Sequence, residues 1–479
     1  MSLDPPTYLS ALQNNIRARP IPWEGAVRAG NISEDQLRLV KAVDKVRKEQ
    51  RQRTVERDLN AYVTLFGGGR AGTSILESAA RRTDIIQYIL VLVRDLINDV
   101  PALMSALANN EGSYKHFLSI LNHSANLDDP VPLLTCSVLT ELIAASLVSS
   151  SSKIIHKDEE ALPRLYSYIA GLTKSADTGL QDIAVQHYSA LLRTRRSREI
   201  FWNQRDLTVN PLVDILRAAA VSPKDNGSAT LAGSLSVRSV DTGIGGGVGI
   251  QLLYRVLLVM WQLSFEGELV GHELESEHGL ISLYTHLLRL SPKEKTTRLL
   301  LSTLNNLLSS NRTTLLPVAV YARLPVLLTN LKGRHLTDPD LLEDLKELSG
   351  MLEDYTKRQT TFDQYAAEVM SGHLCWSPPH RNPTFWRENA RRILDEDGGA
   401  IPKKLKEILS KNWEHDKQVL AVASNDVGCL VKEVPERRQQ LERLGLKSRV
   451  MELMVDPDET VRWESLKAVG EWLRYTFEG

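Results

Sequence analysis

The sequence predicts an all-α protein, and three observations carry that reading. Leucine occurs 74 times in 479 residues, against 28 for Phe, Trp and Tyr together, a balance that favours helices over strands. From about Asp84 onward apolar residues recur at helical spacing, and no window sustains the apolar/polar alternation of a half-buried strand. Helix starts share one chemistry. Ser291-Pro292-Lys293-Glu294 and Asp456-Pro457-Asp458-Glu459 each offer a capping side chain, a proline for the first helical position and an acid three residues after the cap, and Asp338-Pro339 and Asn382-Pro383 repeat the first two features.

Taken in chain order, the first 22 residues hold no continuous apolar stretch and do not read as a secretory signal. Lys41 to Arg57, with seven basic and three acidic residues and Leu39, Val43 and Val46 on one stripe, reads as an amphipathic helix with a wet face. Gly67 to Ser74 has the outline of a phosphate-binding loop. Thr73 stands where the phosphate-reaching lysine belongs and no buried strand precedes it, so a loop or hinge is expected. Ile85, Ile89, Leu92 and Leu96 form one buried stripe. Arg193, Arg195, Arg196 and Arg198 make the one dense arginine cluster, read as a solvated turn facing an acidic protein partner, with stacking of RNA bases on Phe201 and Trp202 as the alternative.

Ser222 to Gly249 holds seven glycines and five serines in 28 residues, a flexible insertion between two helical units. Ile250, Leu253, Leu257, Met260 and Trp261 make a second stripe. Leu252 to Phe265 reads as the strongest apolar segment; at 14 residues, interrupted by Arg255 and Gln262, it is too short to cross a bilayer. His272 and His278 lie six apart and cannot share a helix face as a metal pair does, so the stretch reads as a polar inter-helix loop.

Two stretches then match each other. Gly279-Leu280 leads a helix, the Ser291 turn and Arg298; Gly445-Leu446 leads a helix, the Asp456 turn and Arg462. Glycine to arginine spans 19 residues in one and 17 in the other. Ile250 to Arg298 is about 48 residues, near the period of roughly 40 to 47 for armadillo and HEAT units. The expected architecture is an armadillo/HEAT-like α-solenoid with a smaller helical-repeat C-terminal domain.

Leu341, Leu345, Leu348, Leu352 and Tyr355 step by 4, 3, 4 and 3, a long amphipathic helix ending at Lys357-Arg358. Leu374 to His380 comes next, and its adjacent Pro378 and Pro379 read as non-helical. These features place a domain boundary near residue 356, giving 1–355 and 356–479 with a hinge over 356–382. Cys375 and His380 resemble a nucleophile and a base, but no third group stands beside them in sequence, and Trp376 with two prolines makes a packed elbow the better reading. The loop Asn412 to Lys417, with Trp413, Glu414, His415, Asp416 and Lys417, is a candidate partner contact; an ordinary inter-helix turn is the alternative. Val461, Leu466, Val469 and Leu473 form the last expected buried stripe.

Composition narrows the function. With 58 basic against 59 acidic residues, nucleic acid is not expected as main partner. Cys136, Cys375 and Cys429 are odd in number and lack C-x-x-C spacing, so no disulfide framework or zinc site is expected. No residues assemble a catalytic, cofactor or metal site, which leaves a scaffold that binds proteins.

The chain resembles the H-subunit family of the vacuolar-type proton-translocating ATPase. The most specific match is Phe362-Asp363-Gln364-Tyr365 followed by Leu374-Cys375-Trp376-Ser377-Pro378-Pro379-His380, Phe385-Trp386 and Asn389. Weaker matches run in order from Ile16-Arg17-Ala18-Arg19, through Arg198 to Trp202 and Gly249 to Leu252, to Asn425-Asp426-Val427 and Pro435-Glu436. The resemblance implies a non-catalytic regulatory subunit, without cofactor, peripheral on the cytoplasmic face of vacuolar and other endomembranes and cytosolic when the catalytic sector detaches. It implies partners too: the E and G subunits of the peripheral stalk for the N-terminal domain, the cytosolic domain of the pump's a subunit for the C-terminal domain, and rotor and catalytic subunits in the detached sector, where ATP hydrolysis is suppressed. No membrane insertion is implied. The residues expected to serve the hinge or partner contacts are Phe362, Asp363, Tyr365, Cys375, Trp376, Ser377, Pro378, Pro379, His380 and the 413–417 loop. Another armadillo/HEAT adaptor is the alternative, although the tryptophans form no ladder of the kind a transport receptor uses.

Overall fold

A computed structural model describes residues 7–68, 72–110, 112–122, 124, 126–149, 156–220, 248–291, 293–358, 361–413 and 416–474. Among these, the regular elements are thirty α-helices and two short 3-10 turns, so the all-α expectation holds. The chain divides into two compact units, residues 1–273 with 286–306, and residues 274–285 with 307–479. The long helix Pro339–Arg358 thus groups with the residues C-terminal to it.

In the first unit most helices pack on near neighbours in sequence, as in a solenoid, while Thr7–Ala18 lies against Thr83–Asp99 and Thr178–Leu191. Pro130–Ser149 lies against Thr83–Asp99, Pro101–Asn109, Ser113–Leu121, His156–Thr173 and Thr178–Leu191. It is longer and more apolar than the Leu252 to Phe265 segment that the sequence singled out. By length and hydropathy it passes for a membrane span, but 83% of that window is buried among its neighbours, as in a core helix. Asn210–Ala220 and Ile250–Ser264 pack together, which brings the ends of the Gly/Ser-rich insertion close; 221–247 lie outside the described residues.

Several local expectations need correction. Lys41 to Arg57 is two helices, Glu34–Val43 and Lys48–Arg57, broken where Lys45 takes a left-handed φ of 55°. His272 to His278 closes the helix Gly267–His278 and is no loop. A helix, Leu59–Gly67, precedes the glycine stretch where a phosphate loop needs a strand; 69–71 lie outside the described residues.

In the second unit Pro339–Arg358 buries Leu341, Leu345, Leu348 and Leu352, as the 4-3-4 spacing predicts. Each contributes about 1.5–3 kcal/mol by leaving water. Asp338 caps this helix, its carboxylate accepting the Asp340 and Leu341 N–H groups at 3.1 and 3.3 Å. Asn382 caps Pro383–Asp395 in the same way. The other two proline-marked starts move two residues downstream. Asp456 accepts from Asp458, and Asp458 caps Glu459–Arg474 by accepting from Thr460 and Val461 at 2.9 and 3.0 Å; the helix after Ser291 begins at Glu294.

The centre of this unit is Gln418–Glu433, buried along nearly its whole length and packed by Glu459–Arg474, Ala400–Ser410 and Pro383–Asp395. Gly428 lets the Glu459–Arg474 helix in, since a Cβ there would lie 3.0 Å from Ala468 Cα. That contact sets the helix's rotation. Val461, Ser465, Ala468, Val469 and Trp472 face inward, whereas Leu466 and Leu473, expected in the buried stripe, are exposed.

Candidate functional site

The site grows from the helix Thr361–Ser371, which turns Phe362, Tyr365, Glu368 and Val369 inward. Gly372, at φ 79°, ends it in the left-handed conformation that glycine adopts without strain, and the chain folds back. The returning loop meets Glu368. Its carboxylate accepts the Cys375 N–H at 2.8 Å, the Cys375 thiol at 3.3 Å and the Ser377 hydroxyl at 2.6 Å. One buried acid thereby ties down the loop that succeeds its own helix.

Ser377 stands at the cap position of a one-turn helix, Pro378–Arg381, with its hydroxyl committed to Glu368. The sequence reading of this stretch as non-helical is corrected here. Both prolines occupy first-turn positions, where no N–H is needed and a φ near −65° is already helical. The turn delivers His380 into the core, fully buried. Its Nδ1 lies 2.8 Å from both Asp426 oxygens, and its Nε2 lies 3.2 Å from Glu368 Oε1, within ion-pair range but without hydrogen-bond alignment.

An imidazole between two buried carboxylates has a defined charge. Burial disfavours the imidazolium, but Asp426 and then Glu368 outweigh it and lift the His380 pKa to about 9. Glu368 is correspondingly held below its ordinary value: burial raises it, and the nearby imidazolium of His380 with the bonds from Ser377 and Cys375 overcomes that. Tyr365 donates to Asp426 at 3.3 Å and packs its ring against His380, Phe385 and Trp386 at centroid distances of 5.5, 5.2 and 5.2 Å. The His380 carbonyl is held by Asn425 Nδ2 at 3.0 Å and Trp386 Nε1 at 3.3 Å. Two consecutive segments and a third 46 residues beyond His380 are pinned at one point.

The arrangement is mechanical rather than nucleophilic. Burial and the neighbouring Glu368 push the Cys375 thiol up to about 11, and its hydrogen bond goes to that carboxylate while both His380 nitrogens face acids. The thiolate that a nucleophile requires is suppressed. Trp376 carries Arg381 over its ring at 4.3 Å, and Phe362 carries Arg392 at 3.7 Å. Asp363 lies on the same helix as Phe362, half-buried.

The second candidate, the 412–417 loop, is tied to the body at both described ends. Trp413 donates to the Ile408 carbonyl at 2.8 Å and sets its ring edge-on to His373; Lys417 pairs with Asp456 at 3.0 Å. Asp416 is exposed; Glu414 and His415 lie outside the described residues. The arginine cluster is largely neutralised within the chain: Arg195 pairs with Glu199, Arg196 with Glu159 and Glu199, and Arg198 with Glu266 at 2.7 Å. Among the described residues no group of His, Cys, Asp and Glu is placed to hold a metal.

Sequence reasoning found Tyr365, Cys375, Ser377 and His380 and missed their acids. Glu368 reads as an ordinary helix acid. Asn425-Asp426 carried a signal, being a polar pair inside a Val/Ala/Leu run that its helix buries on all sides.

Comparison with known proteins places the chain. A family model described as the H subunit of the V-ATPase matches residues 7–352, and a second with the same description matches residues 358–477. The chain is similar to the V-type proton ATPase H subunit of Drosophila melanogaster, 27% identical over 97% of this chain and 89% of that one. It is 28% identical to the probable V-type proton ATPase H subunit of Oryza sativa subsp. japonica over 95% of this chain and 94% of that one. A Caenorhabditis elegans relative, the first of two probable V-type proton ATPase H subunits, is 35% identical over 46% of this chain, and the match spans about half of that relative's length, 49%. With both family models together running nearly from end to end, the chain belongs to the V-ATPase H-subunit family.

Proposed function

We propose that this chain, a regulatory subunit of a V-ATPase, is required for coupled ATP-driven proton transport by the assembled pump and inhibits ATP hydrolysis by the detached catalytic sector. It performs no chemistry of its own. Residues 1–355 hold the peripheral stalk made by the E and G subunits. Residues 356–479 dock on the cytosolic domain of the a subunit in the assembled pump, and bridge rotor and catalytic subunits once the sector detaches. The protein is peripheral on the cytoplasmic face of vacuolar and other endomembranes through the complex, and cytosolic after detachment.

The observation that supports this reading is the pair of family matches, 7–352 and 358–477, separated at the end of the Pro339–Arg358 helix. A switch between two docking states needs interaction energies that differ by a few kcal/mol and a body that moves as one piece. The buried Glu368–His380–Asp426 cluster supports that rigidity, the hinge lies within 356–382 from the end of Pro339–Arg358 onward, and the elbow fixes the set of the C-terminal helices on it. Tyr321, at the end of Arg312–Tyr321, donates its hydroxyl to the Gln364 carbonyl and ties that helix to Thr361–Ser371. The 413–417 loop, where Asp416 is exposed, supplies a partner contact on the same body.

Affinity isolation of the full chain from gently solubilised membranes tests the reading. Recovery of the E, G and a subunits in near-stoichiometric amounts is expected. Isolation without any pump subunit would sink it.

A further inference from the structure

The elbow touches a helix from the other family match, and the contact is loosely made. Arg312–Tyr321 lies within the 7–352 match, while Thr361–Ser371 and the Pro378–Arg381 turn lie within the 358–477 match. Arg312–Tyr321 packs on Thr361–Ser371. Beside that contact is a cavity of about 190 Å³, walled by Pro317, Val320 and Tyr321 from the one helix and by Gln364, Pro378 and Pro379 from the elbow. Three of these six are prolines, which have no N–H to donate across the gap. A void leaves its walls without partner atoms, so the seam lacks dispersion attraction that a packed interior supplies.

What ties the seam is the Tyr321 hydroxyl, donating to the Gln364 carbonyl. Burial, and then the neighbouring Glu368 and Tyr355, hold that phenol well above its ordinary pKa, so it stays a donor. Inside the elbow the ties are denser, Glu368 alone accepting three hydrogen bonds from the loop that follows its helix. The seam therefore opens before the elbow does, as an element of low local stability. The helix carries a second mark. Two residues beyond Tyr321, Arg323 holds a left-handed φ of 58°, a strained conformation for a residue other than glycine, and its charge acts on the Cys375 thiol of the elbow. Strain of this kind persists where the surroundings hold it, and here it sits beside the seam.

We propose that Arg312–Tyr321 is a latch on the elbow. With the seam closed, the C-terminal helices are held in one set. Parting it frees them as a single body, with the Glu368–His380–Asp426 cluster intact, and that parting is what the change of docking state requires. The inference deepens the regulatory reading above and rests on it.

The test locks the seam in the full chain. Val320→Cys with Gln364→Cys puts thiols on opposite walls of the cavity, at a half-buried and an exposed position, and copper phenanthroline joins them, mass spectrometry confirming the link. Reduced, the double variant should match wild type in two assays: inhibition of ATP hydrolysis by the detached sector, and restored proton uptake by membranes that lack the chain. Oxidised, it should keep one activity and lose the other at least tenfold, and a thiol reductant should return it. Oxidised chain equal to reduced chain in both assays overturns the latch and leaves the regulatory reading standing. Wild-type chain inactive in both overturns that reading, and the latch with it. A second measurement needs no cross-link. The thiol introduced by Val320→Cys should react with a maleimide about fivefold faster when Tyr321→Phe removes the tie, the worth of one hydrogen bond. Cys429, half-buried on Gln418–Glu433, should react at an unchanged rate. No acceleration at residue 320, or equal acceleration at Cys429, overturns the proposal.

Discussion

Replacing His380 with leucine removes the one cation between two buried carboxylates, and its cost follows from two independent arguments. His380, Glu368 and Asp426 are all essentially closed to solvent, with Asp426 2.8 Å and Glu368 3.2 Å from the ring. Removing one partner of such a pair leaves an uncompensated buried charge, worth about 3–5 kcal/mol. The lift of the imidazole from 6.5 to about 9 gives an upper figure: at 1.36 kcal/mol per pKa unit the folded state favours the imidazolium by about 3 kcal/mol, part of which is offset because burial raises the Asp426 carboxyl even with His380 beside it. Because the folded pKa lies above the unfolded one, this contribution is fully present below pH 6.5 and is lost as pH rises through about 9. Urea denaturation followed by tryptophan fluorescence is the assay, since Trp386 donates to the His380 carbonyl and reports on the cluster. The expected outcome for His380→Leu at pH 6 is a loss of about 3 kcal/mol, or a drop in melting temperature of about 6–12 °C for a domain of this size. Between pH 6.5 and 9 the wild type should lose stability while the variant's curve is flatter, the thiols of Cys375 and Cys429 titrating above that range at about 11 and 12. A variant as stable as wild type at pH 6, or one with the same pH slope, would refute the charged-cluster reasoning.

Further outcomes stem from the same geometry. Gly428→Ala drives a methyl to 3.0 Å from the Ala468 backbone and should cost about 1–3 kcal/mol in denaturation; an unchanged midpoint would show that the two helices separate freely. Cys375, though exposed overall, should label slowly with a thiol reagent at pH 7.5 because its pKa stands at about 11, and Glu368→Gln should speed labelling by removing the adjacent charge. Leu348→Ala, in the wholly buried row of Pro339–Arg358, should cost about 2–5 kcal/mol in urea denaturation. Tyr321→Phe deletes one donor between Arg312–Tyr321 and Thr361–Ser371 and should cost about 1 kcal/mol, read as a several-fold faster tryptic cut after Arg358.

The features legible in the sequence are local ones. The Pro339–Arg358 helix declares itself because leucines every third and fourth residue leave one solution for burial, and Asp338 and Asn382 declare their helices because a capping side chain before proline has few other uses. Asp456 misleads because Asp458, two residues on, is an equally good cap and the helix takes the later one. Pro378 and Pro379 mislead because proline's missing N–H matters only beyond the first turn. Apolarity alone suggests the last stripe, while the helix is oriented by close approach: Gly428 admits Ala468, and the larger Leu466 and Leu473 are rotated outward. The elbow's residue types are visible in the sequence, but its electrostatics are not. His380 finds Asp426 46 residues away, a separation at which no spacing rule operates.

The most direct test of the regulatory role is addition of the full chain to pump material that lacks it. Stoichiometric addition to the isolated catalytic sector should suppress ATP hydrolysis, and addition to membranes carrying the assembled pump should restore ATP-driven proton uptake. Hydrolysis by the detached sector that continues unchanged, with no gain in proton uptake by the membranes, would contradict it.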